Sequence, residues 1–156
     1  MAKQKIMPCL WVEKDAKKVA KYYLSIFKDG KLKTYKAYKN TGAPSGDFDM
    51  AVMNLKGMDF QILAAGPIFK FNEAVSLVII CKDQAEVDYY WKSLTAKGGS
   101  EGPCGWCKDK YGLSWQVVPE QYFKLENHKN KAKQQYALQA VLKMKKIIIA
   151  DLEEKK

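Results

Sequence analysis

The sequence predicts an α+β fold built from two copies of a βαβββ module and followed by C-terminal helices. Residues 8–30 recur in weaker form at 76–98, and a shift of 68 brings Asp15 onto Asp83. Each copy reads as an apolar strand, a polar corner with an aspartate, and an amphipathic helix that ends at glycine. We expect one domain over 1–156, with module one at 5–65, module two at 74–119 and a helical extension at 120–156.

Module one begins with a β-prone, mostly apolar segment at 6–12. Asp15 follows as the predicted N-cap of a helix, because its carboxylate can accept the free N–H groups of the first turn. Apolar residues then recur at helical spacing as far as Phe27, and Gly30 ends the helix. Alternation and turn residues predict three further strands, at 32–38, 48–55 and 59–64, the last two joined by the tight turn Lys56-Gly57.

Module two follows a linker at 66–72 whose aromatic residues are interpreted as pinning it to the core. The most apolar strand of the chain is predicted at 75–81, and Asp83 caps the second helix. Shorter strands are predicted at 99–103, 105–108 and 113–118. Pro119 ends the last of them, because proline has no N–H to donate to a strand ladder.

The extension has no counterpart in the repeat. A short helix is predicted at 121–125, and a longer one at 131–152 carries an apolar stripe. A break near Lys146 is part of this prediction. We expect the long helix to pack on its own sheet or on a second subunit.

Composition excludes several classes of protein. Apolar residues make up 47% of the chain, which is enough for a core, and no apolar run approaches the roughly 18 residues that a membrane span needs. The net charge is +10, but all the basic residues are lysines, and without arginine the sequence lacks the side chain best suited to bidentate base and phosphate contacts. We expect a cytoplasmic protein with no specific nucleic-acid or membrane partner and with its four cysteines reduced.

Several motifs resemble one family. The opening at 8–12, Asp15 and the pair Tyr22-Tyr23 resemble the vicinal oxygen chelate superfamily, which includes glyoxalase I, extradiol dioxygenases and bleomycin and fosfomycin resistance proteins. The segments 66–74, 88–91 and 105–119 resemble its PhnB-like branch, often labelled 3-demethylubiquinone-9 3-methyltransferase. The resemblance implies paired βαβββ modules whose curved mixed sheets enclose a cavity. The methyltransferase label fits the residues poorly, because no glycine-rich nucleotide loop follows a strand.

The resemblance also implies four metal-ligand positions, one on the first and one on the last strand of each module. Counting back seven residues from the capping aspartates gives Pro8 and Ser76, and the matching last-strand positions are Gln61 and Gln116. Proline has no ligand atom in its side chain, and neutral amides alone do not neutralise a divalent cation. We therefore predict no metal and no other cofactor.

Strand alternation sorts the residues expected to line the cavity. Gln116 should share a face with Ser114, and Gln61 with Leu63, while Pro8 brings Leu10 to the cavity side. Trp106 falls near the cavity mouth. The expected lining is apolar with a few hydrogen-bonding groups, which suits a small organic molecule. An alternative is that the two glutamines bond each other or water. The predicted lining residues are Leu10, Gln61, Leu63, Ser76, Trp106, Ser114 and Gln116.

Catalytic groups are sparse. The single histidine, His128, lies in a polar segment after the core and is interpreted as a surface residue. Cys104 and Cys107 have redox-pair spacing but lie at a strand entering a hairpin, away from any helix N-terminus that would lower a thiol pKa. The leading hypothesis is a homodimeric small-molecule binder of unknown physiological role. Two alternatives stay open: an enzyme with lyase, isomerase or transferase chemistry in the same cavity, and a protein that sequesters a drug or metabolite stoichiometrically.

Overall fold

The computed structural model describes residues 4–153. The chain divides into two compact units, and the boundary lies between Lys70 and Phe71. Each unit is a four-stranded mixed sheet with a helix packed on one face. The α+β class and the paired modules with C-terminal helices are confirmed. No helix within the described residues is long and apolar enough to cross a membrane.

The first unit has the strand order β1-β4-β3-β2, with β1 parallel to β4 and the other pairs antiparallel. Its helix buries Val19, Tyr23 and Ile26, which follow the helical apolar period, against β3 and β4. Lys56 and Gly57 both have positive φ, as expected for a two-residue hairpin between β3 and β4. The elements of this unit are β1 (Cys9–Val12), α1 (Ala16–Ile26), β2 (Lys31–Tyr38), β3 (Phe48–Leu55) and β4 (Met58–Ala64).

The second unit repeats this topology as β5-β8-β7-β6, with β5 parallel to β8. Its helix buries Val87, Tyr90, Trp91 and Leu94. The elements are β5 (Ser76–Cys81), α2 (Gln84–Thr95), β6 (Ser100–Glu101), β7 (Trp106–Lys108) and β8 (Ser114–Pro119).

The two units differ by one residue at the corner between the first strand and the helix. Cys9 pairs with Gln61 and lies six residues before Asp15, whereas Val78 pairs with Gln116 and lies five residues before Asp83. The extra residue is accommodated by Asp15, which is left-handed (φ 60°), while Asp83 is extended. Both aspartates still cap their helices, accepting a hydrogen bond from Lys18 N and Glu86 N respectively.

The extension packs on the second unit. It comprises α3 (Glu120–Glu126), α4 (Lys131–Leu142) and a 3₁₀ turn (Ile149–Asp151). An apolar cluster joins these elements to β8. The helix predicted at 131–152 with a break near Lys146 ends at Leu142, four residues before that break, and residues 143–148 form an irregular connection. The β-branched run Ile147-Ile148-Ile149 disfavours continued helix there, and backbone hydrogen bonds to residues 104–105 replace helical ones.

Candidate ligand cavity

A cavity of about 540 Å³ opens on the sheet of the second unit. Its wall is formed by Glu73 in the segment before β5, by strands β6 and β7 and the loop that joins them, and by Ser114 on β8. Alternation on β7 puts Trp106 and Lys108 on one face, and the register pairs Lys108 with Ser114. The residues that carry the chemistry of this wall are Glu73, Glu101, Cys104, Trp106, Lys108 and Ser114.

Ser114 is the most informative group in the cavity wall. It is only 1% exposed, and its Oγ has no hydrogen-bond partner within residues 4–153. A buried hydroxyl without a partner is destabilising, so such groups normally find one in protein, water or ligand. Ser114 belongs to the cavity wall, but its Oγ is buried within that wall, so the unused hydrogen-bonding capacity lies beside the cavity and not on its surface.

The same wall contains charged residues. Lys108 forms an ion pair with Glu73, and this hydrogen bond is the main reason that the pKa of Glu73 lies below its usual value. Glu101 accepts a hydrogen bond from Trp91 Nε1 at 3.1 Å and lies 3.6 Å from Lys145 Nζ. The wall thus offers the Lys108–Glu73 pair beside the indole of Trp106, whereas the register places Glu101 with Cys107, on the face that α2 covers.

Ser76 and Gln116 lie on the same face of this sheet but outside the cavity wall. Gln116 Nε2 donates to Ser76 Oγ at 2.8 Å, and Gln116 pairs with Trp106 across β7 and β8. Alternation in the second unit therefore follows the predicted pattern: Trp115 lies on the opposite face and is 3% exposed. Contact of these residues with a ligand stays a prediction.

The first unit departs from the predicted lining. Gln61 Nε2 donates to Cys9 Sγ at 3.4 Å, and the register pairs these residues, so they share a face with Leu63. Leu10 lies on the opposite face and is 6% exposed, in the core under α1. The prediction that Leu10 shares a face with Gln61 is wrong, because the longer first corner shifts the strand by one residue relative to Asp15 and reverses its faces.

A second cavity, of about 430 Å³, lies in the first unit and is lined by acidic groups. Their carboxylates are already engaged: Asp49 accepts from Ala16 N, Asp47 from Asn40 N and Lys39, and Asp15 caps α1. Loss of hydration and the nearby charge of Asp49 raise the pKa of Tyr35. We interpret this cavity as a consequence of how the chain turns between β1 and α1.

The metal positions implied by the family do not fit the residues present. The same offset that pairs Cys9 with Val78 makes Met7, not Pro8, the counterpart of Ser76. The two glutamines are hydrogen-bonded to Cys9 and Ser76, so neither contact adds a carboxylate or an imidazole ligand. Among residues 4–153, no group of three or more His, Cys, Asp or Glu side chains is placed to hold a metal ion. We therefore derive no chemistry through a metal, and its loss stays a prediction.

The thiols differ in environment. Cys81 and Cys107 are buried, and burial raises the pKa of each to about 12, so both are protonated at neutral pH. Cys104 is half-buried in the cavity wall and Cys9 is exposed. His128 Nδ1 accepts a hydrogen bond from Asn130 N just before α4, away from the cavity wall.

Sequence reasoning missed Lys108 as part of the wall, although the signal was present. Lys108 stands two residues after Trp106 on β7, so strand alternation places both on the cavity face. It also missed the residues at 143–149 that hold the wall, because their contacts are long-range.

Comparison with known proteins identifies the class to which this fold and cavity belong. Residues 4–118 match the family described as 3-demethylubiquinone-9 3-methyltransferase, so the chain belongs to that family, in the PhnB-like branch of the glyoxalase/bleomycin resistance superfamily. Among curated proteins, none is significantly similar to the chain.

Solved structures agree with this assignment. A putative 3-demethylubiquinone-9 3-methyltransferase, PhnB protein, from Bacillus cereus is 26% identical, with a TM-score of 0.64 over 74% of this chain and 99% of that one. Protein PA1353 from Pseudomonas aeruginosa is 17% identical, with a TM-score of 0.61 over 75% and 98%. A mutant of the fosfomycin resistance protein FosX from Listeria monocytogenes, complexed with Mn(II) and 1S,2S-dihydroxypropylphosphonic acid, is 17% identical, with a TM-score of 0.54 over 76% and 93%. The last two show the fold alone.

Proposed function

We propose that the protein binds a small organic molecule in the second-unit cavity, without the metal centre used by other branches of its superfamily. The observation that carries this proposal is the cavity itself, whose wall includes Ser114, a residue with a buried hydroxyl that has no partner among the described residues. The cavity volume of about 540 Å³ lies within the range typical of small-molecule sites, which is roughly 300–1,000 Å³.

The chemistry of the wall narrows the class of ligand. Trp106 offers an aromatic face, Ser114 a hydrogen bond, and Lys108 with Glu73 a pair of opposite charges. A compact molecule with an aromatic or apolar body and one polar group that reaches Ser114 matches this arrangement.

The proposal is tested by thermal shift against a library of small aromatic and polar organic compounds. A compound present at about 100 times its Kd should stabilise the fold by roughly 2.7 kcal/mol without being consumed. Ser114→Ala should weaken the binding of such compounds about tenfold, because it removes one hydrogen bond to the ligand. Trp106→Ala should weaken it further.

Ser25→Ala provides the matched control, since Ser25 is exposed on α1 and its hydroxyl already donates to Tyr22 O. This variant should bind every compound as the wild type does. If no compound stabilises the wild type, or if Ser114→Ala and Trp106→Ala leave all affinities unchanged, the proposal fails. Metal analysis of protein purified without chelators tests the proposed absence of a metal centre. One tightly bound transition metal per chain would contradict that part of the proposal.

We further propose that the chain forms a homodimer through the second-unit sheet. Its strand β5 is an edge strand, and Val75, Val78 and Ile80 are 68%, 49% and 64% exposed. Branched aliphatic side chains clustered on one strand are unusual on a monomer's surface and typical of an interface. A second copy of the chain is the proposed occupant, in keeping with the homodimer expected from the sequence.

A further inference from the structure

The loop between β6 and β7, residues 102–105, forms one wall of the cavity and is held from outside its own hairpin. Cys104 and Gly105 both have positive φ, 55° and 80°. Their N–H groups donate to Met144 O and Lys145 O, each at 2.7 Å. The left-handed pair thus points two successive donors at the connection after α4, which supplies their acceptors.

Side-chain packing supports the same contact. Ile147 is 1% exposed, and a Cβ added to Gly105 would lie 3.0 Å from Ile147 Cδ1 and 3.0 Å from Val117 O. Gly105 therefore lets the backbone of the loop approach the connection closely. Cys104 packs against the same apolar cluster, which includes Val141 and Leu152.

The connection is in turn anchored to α2. Gln84, the first residue of this helix, donates from Nε2 to Ile147 O at 3.2 Å and accepts from Ile149 N at 2.8 Å. One turn later, Asp88 pairs with Lys146 at 2.5 Å. Residues 143–149, which we name the clasp, are therefore fixed to α2 on one side and to the cavity wall on the other.

The clasp also places a positive charge next to a residue of the cavity wall. Lys145 Nζ lies 3.6 Å from Glu101 Oε2, and Glu101 belongs to the cavity wall. The other oxygen of Glu101 is held by Trp91 Nε1. Lys145 thus partly offsets the negative charge of a residue that belongs to the cavity wall.

We propose that the clasp is a positioning element of the ligand cavity: by holding Cys104 and offsetting Glu101, it sets which small molecules the second unit accepts. The inference rests on the proposed function. The family match ends at residue 118, and the Bacillus cereus protein is covered over 99% of its length by 74% of this chain. The clasp lies beyond the family match and distinguishes this chain from the pattern that defines its family.

The first test needs no ligand. In a Cys9→Ser background, iodoacetamide labelling at pH 8 followed by peptide mass spectrometry measures the accessibility of Cys104, because Cys81 and Cys107 are buried. Gln84→Ala removes both hydrogen bonds to the clasp and should raise the labelling rate about tenfold. Amide exchange at Cys104 and Gly105 should rise in parallel.

Lys133→Ala is the matched control, since it removes the ion pair with Glu153 elsewhere on the extension. It should leave the labelling rate unchanged. Asp88→Asn gives a second, milder way of loosening the clasp and should raise the rate in the same direction. Unchanged labelling and exchange in both Gln84→Ala and Asp88→Asn would overturn the clasp.

The second test measures selectivity with compounds found by thermal shift, compared as matched cationic and anionic analogues. Lys145→Ala should shift the affinity ratio toward the cationic analogue by about twofold to fivefold, and Lys145→Arg should retain the wild-type ratio. An unchanged ratio in Lys145→Ala would overturn the role in selectivity. If no compound binds the wild type, the proposed function fails. The labelling experiment needs no ligand, so it still shows whether the clasp holds the cavity wall.

Discussion

Asp109 shows how a single buried charge holds the β7–β8 hairpin. It is 2% exposed, and its carboxylate accepts hydrogen bonds from Tyr111 N, Leu113 N and Trp115 Nε1, at 2.8, 3.2 and 2.8 Å. The turn therefore depends on one side chain to satisfy two backbone donors and the indole of a buried tryptophan. Hydrogen bonds to an ionised acceptor are about twice as strong as neutral ones.

Asp109→Ala should destabilise the protein by about 3 kcal/mol, because it leaves three donors without their acceptor in a dry site. Urea unfolding monitored by tryptophan fluorescence measures the change. Asp29→Ala is the control, since Asp29 forms an exposed ion pair with Lys56, and such pairs contribute less than about 1 kcal/mol. Equal losses in the two variants would contradict the structural role of Asp109.

Among the secondary-structure elements, the strand-to-helix corners carry the main difference between the two modules. Both corners use an aspartate as N-cap, but Asp15 is left-handed and Asp83 is extended. A non-glycine residue in the left-handed region is strained, and asparagine and aspartate tolerate it best.

Substitutions at Asp15 and Asp83 should therefore lower the stability of the protein by different amounts. Asp83→Ala removes a cap and should cost about 1 kcal/mol. Asp15→Ala removes a cap and also places alanine in the left-handed region, so it should cost about 2 kcal/mol. Asp15→Asn keeps both the cap and the conformation and should be within about 0.5 kcal/mol of wild type. Thermal unfolding of the three variants checks this order, and a larger loss at Asp83 than at Asp15 would contradict it.

The same corner explains how far the sequence could predict the structure. Apolar periodicity and the repeated aspartates were enough for the fold, for both helices α1 and α2 and for the faces of β5 and β8. Counting back from the capping aspartate gave the wrong register for β1. The left-handed conformation of Asp15 accommodates one extra residue, and the pattern of residue types does not show it. Leu10 was therefore assigned to the wrong face, while Ser114 and Gln116 were placed together on one face of β8, and contact of these two residues with a ligand stays a prediction.

The extension was harder to predict for a different reason. Its apolar stripe runs from Tyr136 to Leu152, so periodicity favoured a helix over 131–152 with a break only near Lys146. The helix ends at Leu142 because Met144 and Lys145 use their carbonyls to accept the N–H groups of Cys104 and Gly105. Such long-range backbone pairing leaves no local signal in the sequence.

At the scale of the whole molecule, the two sheets present different edges. The edge strand β2 carries Lys31, Lys33 and Lys36, and lysines on an edge discourage pairing with another strand. The edge strand β5 carries exposed aliphatic residues instead. Each sheet has a second edge strand, β1 or β6, but β5 is the edge on which exposed branched aliphatic side chains lie, and the proposed dimer therefore uses it.

Sedimentation or light scattering should give a mass twice that of the 17.8 kDa chain. Ile80→Lys should shift the protein toward monomer by placing a charge in the interface, at a Kd increase of at least about tenfold. Leu138→Lys alters an exposed leucine on α4 and should leave the mass unchanged. A monomeric wild type, or equal effects of the two variants, would contradict the proposed interface.

The added residue at the first corner also bears on how such a duplicated chain can evolve. Recombination between the two halves works only where their strands and helices are in step. A crossover just before the corner would join a β1-type strand to an α2-type helix and turn its core side chains outward. The one-residue difference therefore disfavours exchange of sequence between the two repeats at this corner. Without such exchange, the two halves would diverge independently.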